Sequence, residues 1–103
     1  MRHMYLVSVR QASALAGGNT TVIKSCEYTP RCYHVLSRAF LDAGLPARCF
    51  NLISTRAEDA AAVVKSIIKH PAVRKVNFTT SKAVGRKVAA FCGQHLKSCL
   101  MEL

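Results

Sequence analysis

The sequence predicts an α/β fold in which a parallel sheet is flanked by helices. Short β-branched or apolar runs alternate with longer stretches of helical periodicity. That alternation builds parallel strands joined by right-handed crossovers. Helix punctuation supports it. Thr29-Pro30, Thr55 with Glu58, and Thr79-Thr80-Ser81 open helical stretches, while Gly17-Gly18-Asn19, Gly44 with Pro46, and His70-Pro71 close them. Half of the 103 residues are hydrophobic, a composition that builds a packed core rather than a disordered chain.

In chain order, Met4 to Ala16 predicts a helix with Tyr5, Val9, Ala12 and Ala16 on one stripe, stopped by Gly17-Gly18-Asn19. Thr20 to Ile23 is a short β-branched run, expected as a strand covered on both faces. Thr29 is the expected N-cap of the next helix, and Pro30 suits its first position. Cys32, Val35, Leu36, Ala39, Phe40 and Ala43 then recur as its inward stripe. Cys49 to Ile53 predicts a second strand. Thr55 and Glu58 form a Ser/Thr-x-x-Glu capping box, with Asp59 adding charge in the first turn. The helix that follows should turn Ala57, Ala61, Val64, Ile67 and Ile68 inward and Lys65 and Lys69 outward. Lys75 to Thr79 is a third strand with Val76 and Phe78 opposite Asn77. A third full helix should bury Val84, Val88, Phe91 and Cys92, with Gly93 weakening or ending it, and Ser98 to Leu103 is a fourth strand.

Charge and cysteine usage narrow the function classes. The net charge is +10, from 15 Lys and Arg against 5 Asp and Glu, which suits an anionic partner such as a nucleic acid, a membrane surface or a phosphorylated cofactor. The cations are dispersed and no basic run carries interleaved aromatics, so nucleic acid is not the expected partner. A basic nucleic-acid-interacting domain remains an alternative. Cys26, Cys32, Cys49, Cys92 and Cys99 are odd in number and contain no Cys-x-x-Cys pair. Reduced, mostly buried thiols and a cytoplasmic location are the expectation. Arg10 interrupts the apolar run Met4–Val9, short of the unbroken core of about 7–15 residues that a signal peptide needs. No segment reaches the ~20 apolar residues of a membrane span.

Strand-to-helix tips of a parallel sheet lie on one edge, where ligands bind. One tip holds Lys24 and Glu27. An ammonium and a carboxylate together suit the hydroxyls of a ribose, and the carboxylate disfavours a 2′-phosphate. The plainer alternative is a solvated ion pair worth under about 1 kcal/mol. A second tip, Phe78-Thr79-Thr80-Ser81, offers hydroxyls and backbone N–H groups at a helix start. Such a start either binds an anion or is simply capped. No Gly-x-Gly-x-x-Gly or Gly-x-x-x-x-Gly-Lys-Ser/Thr loop occurs, and His3, His34, His70 and His95 are isolated.

Several stretches carry a family resemblance. Asn19-Thr20-Thr21-Val22-Ile23-Lys24-Ser25-Cys26-Glu27-Tyr28-Thr29-Pro30 resembles the aldehyde dehydrogenase segment Gly-Asn-Thr-Val-Val-x-Lys-Pro-Ser-Glu-x-Thr-Pro. Ala43-Gly44-Leu45-Pro46 is similar to that family's Ala-Gly-Leu-Pro, and His70 to Thr79 to its His-Pro-x-Val-x-x-Val-x-Phe-Thr. Gly85-Arg86, Leu96-Lys97 and Met101-Glu102-Leu103 follow in order. Within the family, the chain is most similar to NAD-linked enzymes acting on aromatic aldehydes such as salicylaldehyde.

The resemblance implies a Rossmann-like parallel sheet and a truncated dinucleotide-binding domain over residues 1–103. It implies NAD as cofactor and an aldehyde, oxidised to a carboxylic acid, as substrate. Lys24 and Glu27 would bind the adenosine ribose, Ser81 the pyrophosphate, and Val84 would pack near the adenine or pyrophosphate. Glu102 would be the general base that activates water or the nucleophilic thiol. The family's reaction is attack by a cysteine thiolate, hydride transfer to NAD and hydrolysis of the thioester; its members are usually homo-oligomers. The nucleophile motif and the Gly-Gly-Lys after Glu102 fall beyond Leu103, and none of the five cysteines takes the nucleophile's place. These residues alone are therefore not expected to oxidise an aldehyde, and a nucleotide-binding module without catalysis is the second expectation. Ser25 stands where the family has Pro, and Thr80 where it has Gly.

Overall fold

The structure is a computed structural model and describes residues 12–102. The chain divides between Ala57 and Glu58 into two compact units. Residues 12–16 are helical, and the earlier part of the predicted first helix, with Tyr5 and Val9, lies outside the described residues. Ala12 and Ala16 are exposed rather than packed. The predicted stop forms as expected. Gly18 has φ 84°, the N–H groups of Gly17, Gly18 and Asn19 return to the carbonyls of Ser13, Leu15 and Ala14, and Asn19 Nδ2 also donates to Ala14 O at 3.1 Å.

In the first unit, β1 (Thr21–Lys24) pairs in parallel with β2 (Phe50–Ile53), Thr21 opposite Phe50 and Lys24 opposite Ile53. Helix α1 (Pro30–Asp42) is the crossover and packs on β2. Ile23 and Phe50 form the buried apolar centre, with the Phe40 ring stacked on Phe50 at 5.0 Å between centroids. Only one face of β1 is covered. Val22 on the other face is 49% exposed, which corrects the expectation of cover on both sides.

The limits of α1 are as predicted, but its inward face is rotated. Cys32, Val35, Ala39 and Ala43 are exposed, and Tyr33, Leu36, Ser37, Phe40 and Leu41 are half-buried instead. Phe40 and Leu36 were common to both stripes. The large ring of Phe40 has to meet Phe50, and the smaller Cys32 and Ala39 yield to it. Thr29 holds the N-cap position without a side-chain bond, so Pro30 alone opens the helix.

A 3₁₀ turn (Ala57–Asp59), begun by the last residue of the first unit, leads into α2 (Ala60–Lys69) of the second. The Thr55 half of the predicted capping box does not form: a 3₁₀ turn opens the helix, and Thr55 Oγ1 is buried without a hydrogen-bond partner. Ala57 and Ala61 are exposed, Val64 and Ile67 half-buried, Ile68 fully buried, and Lys65 and Lys69 point outward as expected. Strand β3 (Lys75–Thr79) pairs in parallel with β4 (Ser98–Glu102), Lys75 opposite Ser98 and Thr79 opposite Glu102. Helix α3 (Lys82–Gln94) crosses between them and packs on both.

Ile68, Val88 and Cys92 make the core of this unit, with Val64, Val76, Phe78, Phe91, Cys99 and Met101 around them. Val84 is 45% exposed and Gly85 takes the buried place, one residue further round α3 than predicted. Gly93 does not end the helix. The chain turns instead at Leu96, whose φ of 54° is left-handed and whose side chain is 94% exposed. Lys97 Nζ donates to His70 O at 2.8 Å and to Val73 O, joining the two loops that precede β4 and β3.

All five cysteines are free, but only Cys92 is fully buried; Cys32 is exposed and the other three are intermediate, fewer buried thiols than expected. Burial, and then the neighbouring Cys99 thiol, push the Cys92 thiol up from its ordinary pKa. Among the described residues no helix is long and apolar enough to cross a membrane.

Candidate functional site

The carboxyl end of β1 continues into the turn Ser25–Tyr28 before α1 begins. Lys24 Nζ donates to the Glu27 carboxylate through Oε1 and to Ser25 O at 3.1 Å. The two side chains are 17% and 19% exposed. The surface pair Arg38 with Asp42 on α1, at 3.5 Å, is 61% and 70% exposed. Lys24 and Glu27 are thus not the solvated pair that spacing alone allowed. The hydrogen bond from Lys24 lowers the Glu27 pKa; the residue's own backbone bond and the ammonium charge add to this, and partial burial opposes it. Tyr33 on α1 lies close enough to feel Glu27. Burial raises its phenol pKa first, and the Cys26, Cys32 and Glu27 side chains add smaller effects.

An ammonium has three N–H donors and a carboxylate two acceptor oxygens. The lysine bonds to Ser25 and Glu27 leave a third donor, and the carboxylate, with about four lone-pair sites, keeps acceptor capacity beyond the bonds from Lys24 and its own backbone. The pair can therefore offer one donor and one acceptor side by side to a ligand carrying adjacent hydroxyls.

In the second unit, Ser81, Val84 and Glu102 share the carboxyl edge of the β3–β4 pair. Ser81 caps α3: its Oγ accepts from Val84 N at 3.4 Å and its carbonyl from Gly85 N at 2.8 Å. Half-exposed Val84 stands one turn into the helix. Glu102 ends β4 opposite Thr79 and is exposed, and its carbonyl accepts from Thr80 N at 3.0 Å. Among the described residues Leu96 alone combines a side chain with positive φ, so Thr80 carries its β-branch in ordinary backbone. Its N–H is spent on the sheet. The structure brings Lys24 and Glu27 together in the first unit and Ser81, Val84 and Glu102 to one edge of the second.

Spacing did not single out Ser25 or Ser54. Ser25 is 1% exposed, and its Oγ shares a hydrogen bond of 2.9 Å with Ser54 Oγ. The signal in the sequence was a Ser in the place of a family Pro, but its partner is 29 residues away and no local pattern shows it. Two histidines sit at helix ends. Ala72 N donates to His70 Nδ1 at 3.0 Å, and His95 lies 4.6 Å from the Phe91 ring. Among the described residues no three His, Cys, Asp or Glu side chains gather to hold a metal.

Known proteins share this arrangement of elements. The family described as aldehyde dehydrogenase matches residues 3–103. A vanillin dehydrogenase of Pseudomonas fluorescens is 45% identical over 92 residues, which are 89% of this chain and 19% of that protein. A salicylaldehyde dehydrogenase from Pseudomonas putida G7, solved with salicylaldehyde, superposes with TM-score 0.79 at 34% identity over 81% of this chain and 17% of its own. An E. coli NADP dependent enzyme gives 0.83 at 34% identity over 90% of this chain and 19% of its own. The chain thus spans about a fifth of the length of the relatives it matches. Matched over nearly all of its residues and superposing on a solved salicylaldehyde dehydrogenase through its Rossmann-like elements, this chain belongs to the aldehyde dehydrogenase family.

Proposed function

We propose that these residues supply the adenosine half of an NAD site in an enzyme that oxidises an aromatic aldehyde to its acid. The observation that carries this is the Lys24 and Glu27 pair, formed and mostly shielded from water at the carboxyl end of a parallel strand. Its free donor and acceptor match the 2′- and 3′-hydroxyls of a ribose. The family uses NAD or NADP. The Glu27 carboxylate, held ionised by Lys24, favours NAD because a 2′-phosphate would meet a like charge.

Ser81 would present its end of α3 to the pyrophosphate, where the helix dipole favours negative charge, and Val84 would give apolar contact one turn further on. When bound, the nicotinamide takes up the hydride lost by the aldehyde. Glu102 would serve as the general base. A single dinucleotide-binding domain over residues 1–103, a homo-oligomeric assembly and a cytoplasmic location complete the proposal; the odd set of free thiols supports the last.

Calorimetric titration of the chain with NAD, NADP and ADP tests it. NAD and ADP should bind and NADP should bind more weakly. Flat traces with NAD and ADP would reject the nucleotide site. A second reading, nucleotide binding without catalysis, is favoured by Thr80, whose N–H is already bonded to Glu102 O. It predicts that ADP binds as well as NAD does.

A further inference from the structure

Ser25 makes three hydrogen bonds at the β1 tip. Its N–H donates to Ile53 O at 2.8 Å, its carbonyl accepts from Lys24 Nζ at 3.1 Å, and its hydroxyl meets Ser54 Oγ at 2.9 Å. Two of these bonds cross to the end of β2, and the third holds the ammonium that binds Glu27. A proline here could not donate the N–H bond and has no hydroxyl; it would stiffen the tip through its ring instead. In this chain the stiffness comes from hydrogen bonds, made by a buried polar residue that loses free energy if they are left unmade.

We propose that Ser25, with Ser54 as its anchor, is a positioning residue that ties the end of β1 to the end of β2 and so fixes Lys24 and Glu27 in the geometry that takes a ribose diol. The ligand part of this inference rests on the nucleotide reading above; the positioning part does not. Lys24 Nζ can reach both Ser25 O and Glu27 only while the Ser25 peptide keeps its orientation, and the hydroxyl bridge holds that orientation. Lys24 from β1 and Tyr33 from α1 are the titratable groups that face Glu27 most directly, with the Cys26 thiol beside them in the turn. Of these, Lys24 is the one whose contact depends on Ser25.

The test is an NMR titration of the Glu27 side-chain carboxyl in the labelled chain, run beside NAD calorimetry, for wild type, Ser25→Ala, Ser54→Ala and Ser54→Thr. Ser54 is exposed, so its variants fold even if Ser25→Ala does not. Ser54→Ala should move the Glu27 titration upward, toward the ordinary carboxylate range, and weaken NAD about three- to tenfold, the range of one net hydrogen bond. Ser54→Thr, which keeps a hydroxyl, should restore both. An unchanged Glu27 titration in Ser54→Ala overturns the positioning role. No heat with NAD in wild type, with the titration still moving in Ser54→Ala, upholds the positioning role and rejects the nucleotide reading instead.

Discussion

The two units are built from the same β-α-β plan but spend their interactions differently. The first has a thin apolar centre, Ile23 and Phe50 with Phe40 stacked on it, and an elaborately bonded tip at Lys24, Ser25 and Glu27. The second has a larger core around Ile68, Val88 and Cys92, while the candidate residues at its edge, Val84 and Glu102, stand exposed. A tip that is to recognise hydroxyl groups needs its polar atoms held before the ligand arrives, because ordering them on binding costs affinity. An edge that is to meet a phosphate needs only a capped helix start and an open approach.

The contrast can be broken at several points. Removing the main apolar side chain of either unit should have the largest effect. Phe50→Ala and Ile68→Ala should each lower stability by about 3 kcal/mol, read from urea melts. If Phe50→Ala costs under about 1 kcal/mol, the first unit has no centre of the kind described. Next is Glu27→Gln, which should weaken NAD by about tenfold or more, as expected for a lost charge-assisted bond, and narrow the preference over NADP.

The same variant sharpens the pH dependence. The Glu27 pKa is lowered in the fold, so its contribution is complete above the ordinary value of about 4.3 and is lost as pH falls through the lower folded value. Melts of wild type should therefore fall toward those of Glu27→Gln on acidification, and parallel curves from pH 7 to pH 3 would contradict the pair. Ser81→Ala should cost α3 about 0.5–1 kcal/mol in thermal melts, at the low end for an N-cap because its bond is long at 3.4 Å. Smallest is Leu96→Gly, which should stabilise by about 0.5 kcal/mol. It relieves a left-handed Leu that buries almost nothing, against the greater freedom of Gly in the unfolded chain.

Much of the plan was legible because the signals were local. Pro30, Gly44, Ser81 and the alternation of Val76, Asn77 and Phe78 each act within a few residues of themselves, and each sits where the sequence placed it. The errors came from distant partners. The face of α1 is set by where Phe50 lies, so it is rotated away from the stripe that Cys32 and Ala39 predict. At Thr55 the residue type suits a cap, but a 3₁₀ turn opens α2 and leaves its hydroxyl unbonded. At the candidate site, Lys24 and Glu27 were visible as a pair three residues apart, while the bond from Ser25 to Ser54 exists only once two parallel strands lie side by side. Residues placed to touch a ligand are close in sequence here, whereas those that hold them still meet only through the fold.

Lys97 has a consequence of the same kind for the second unit. It lies one residue before β4, and its carbonyl partners, His70 and Val73, lie just before β3. The ammonium therefore sits at the shared origin of both strands and acts as a register mark. A slip of one residue along the ladder would turn Cys99 and Met101 outward and Leu100 inward, because side chains alternate with a period of two. It would also pull the ammonium out of reach of the two carbonyls. A lysine in an exposed loop thus helps decide which side of a strand meets the core.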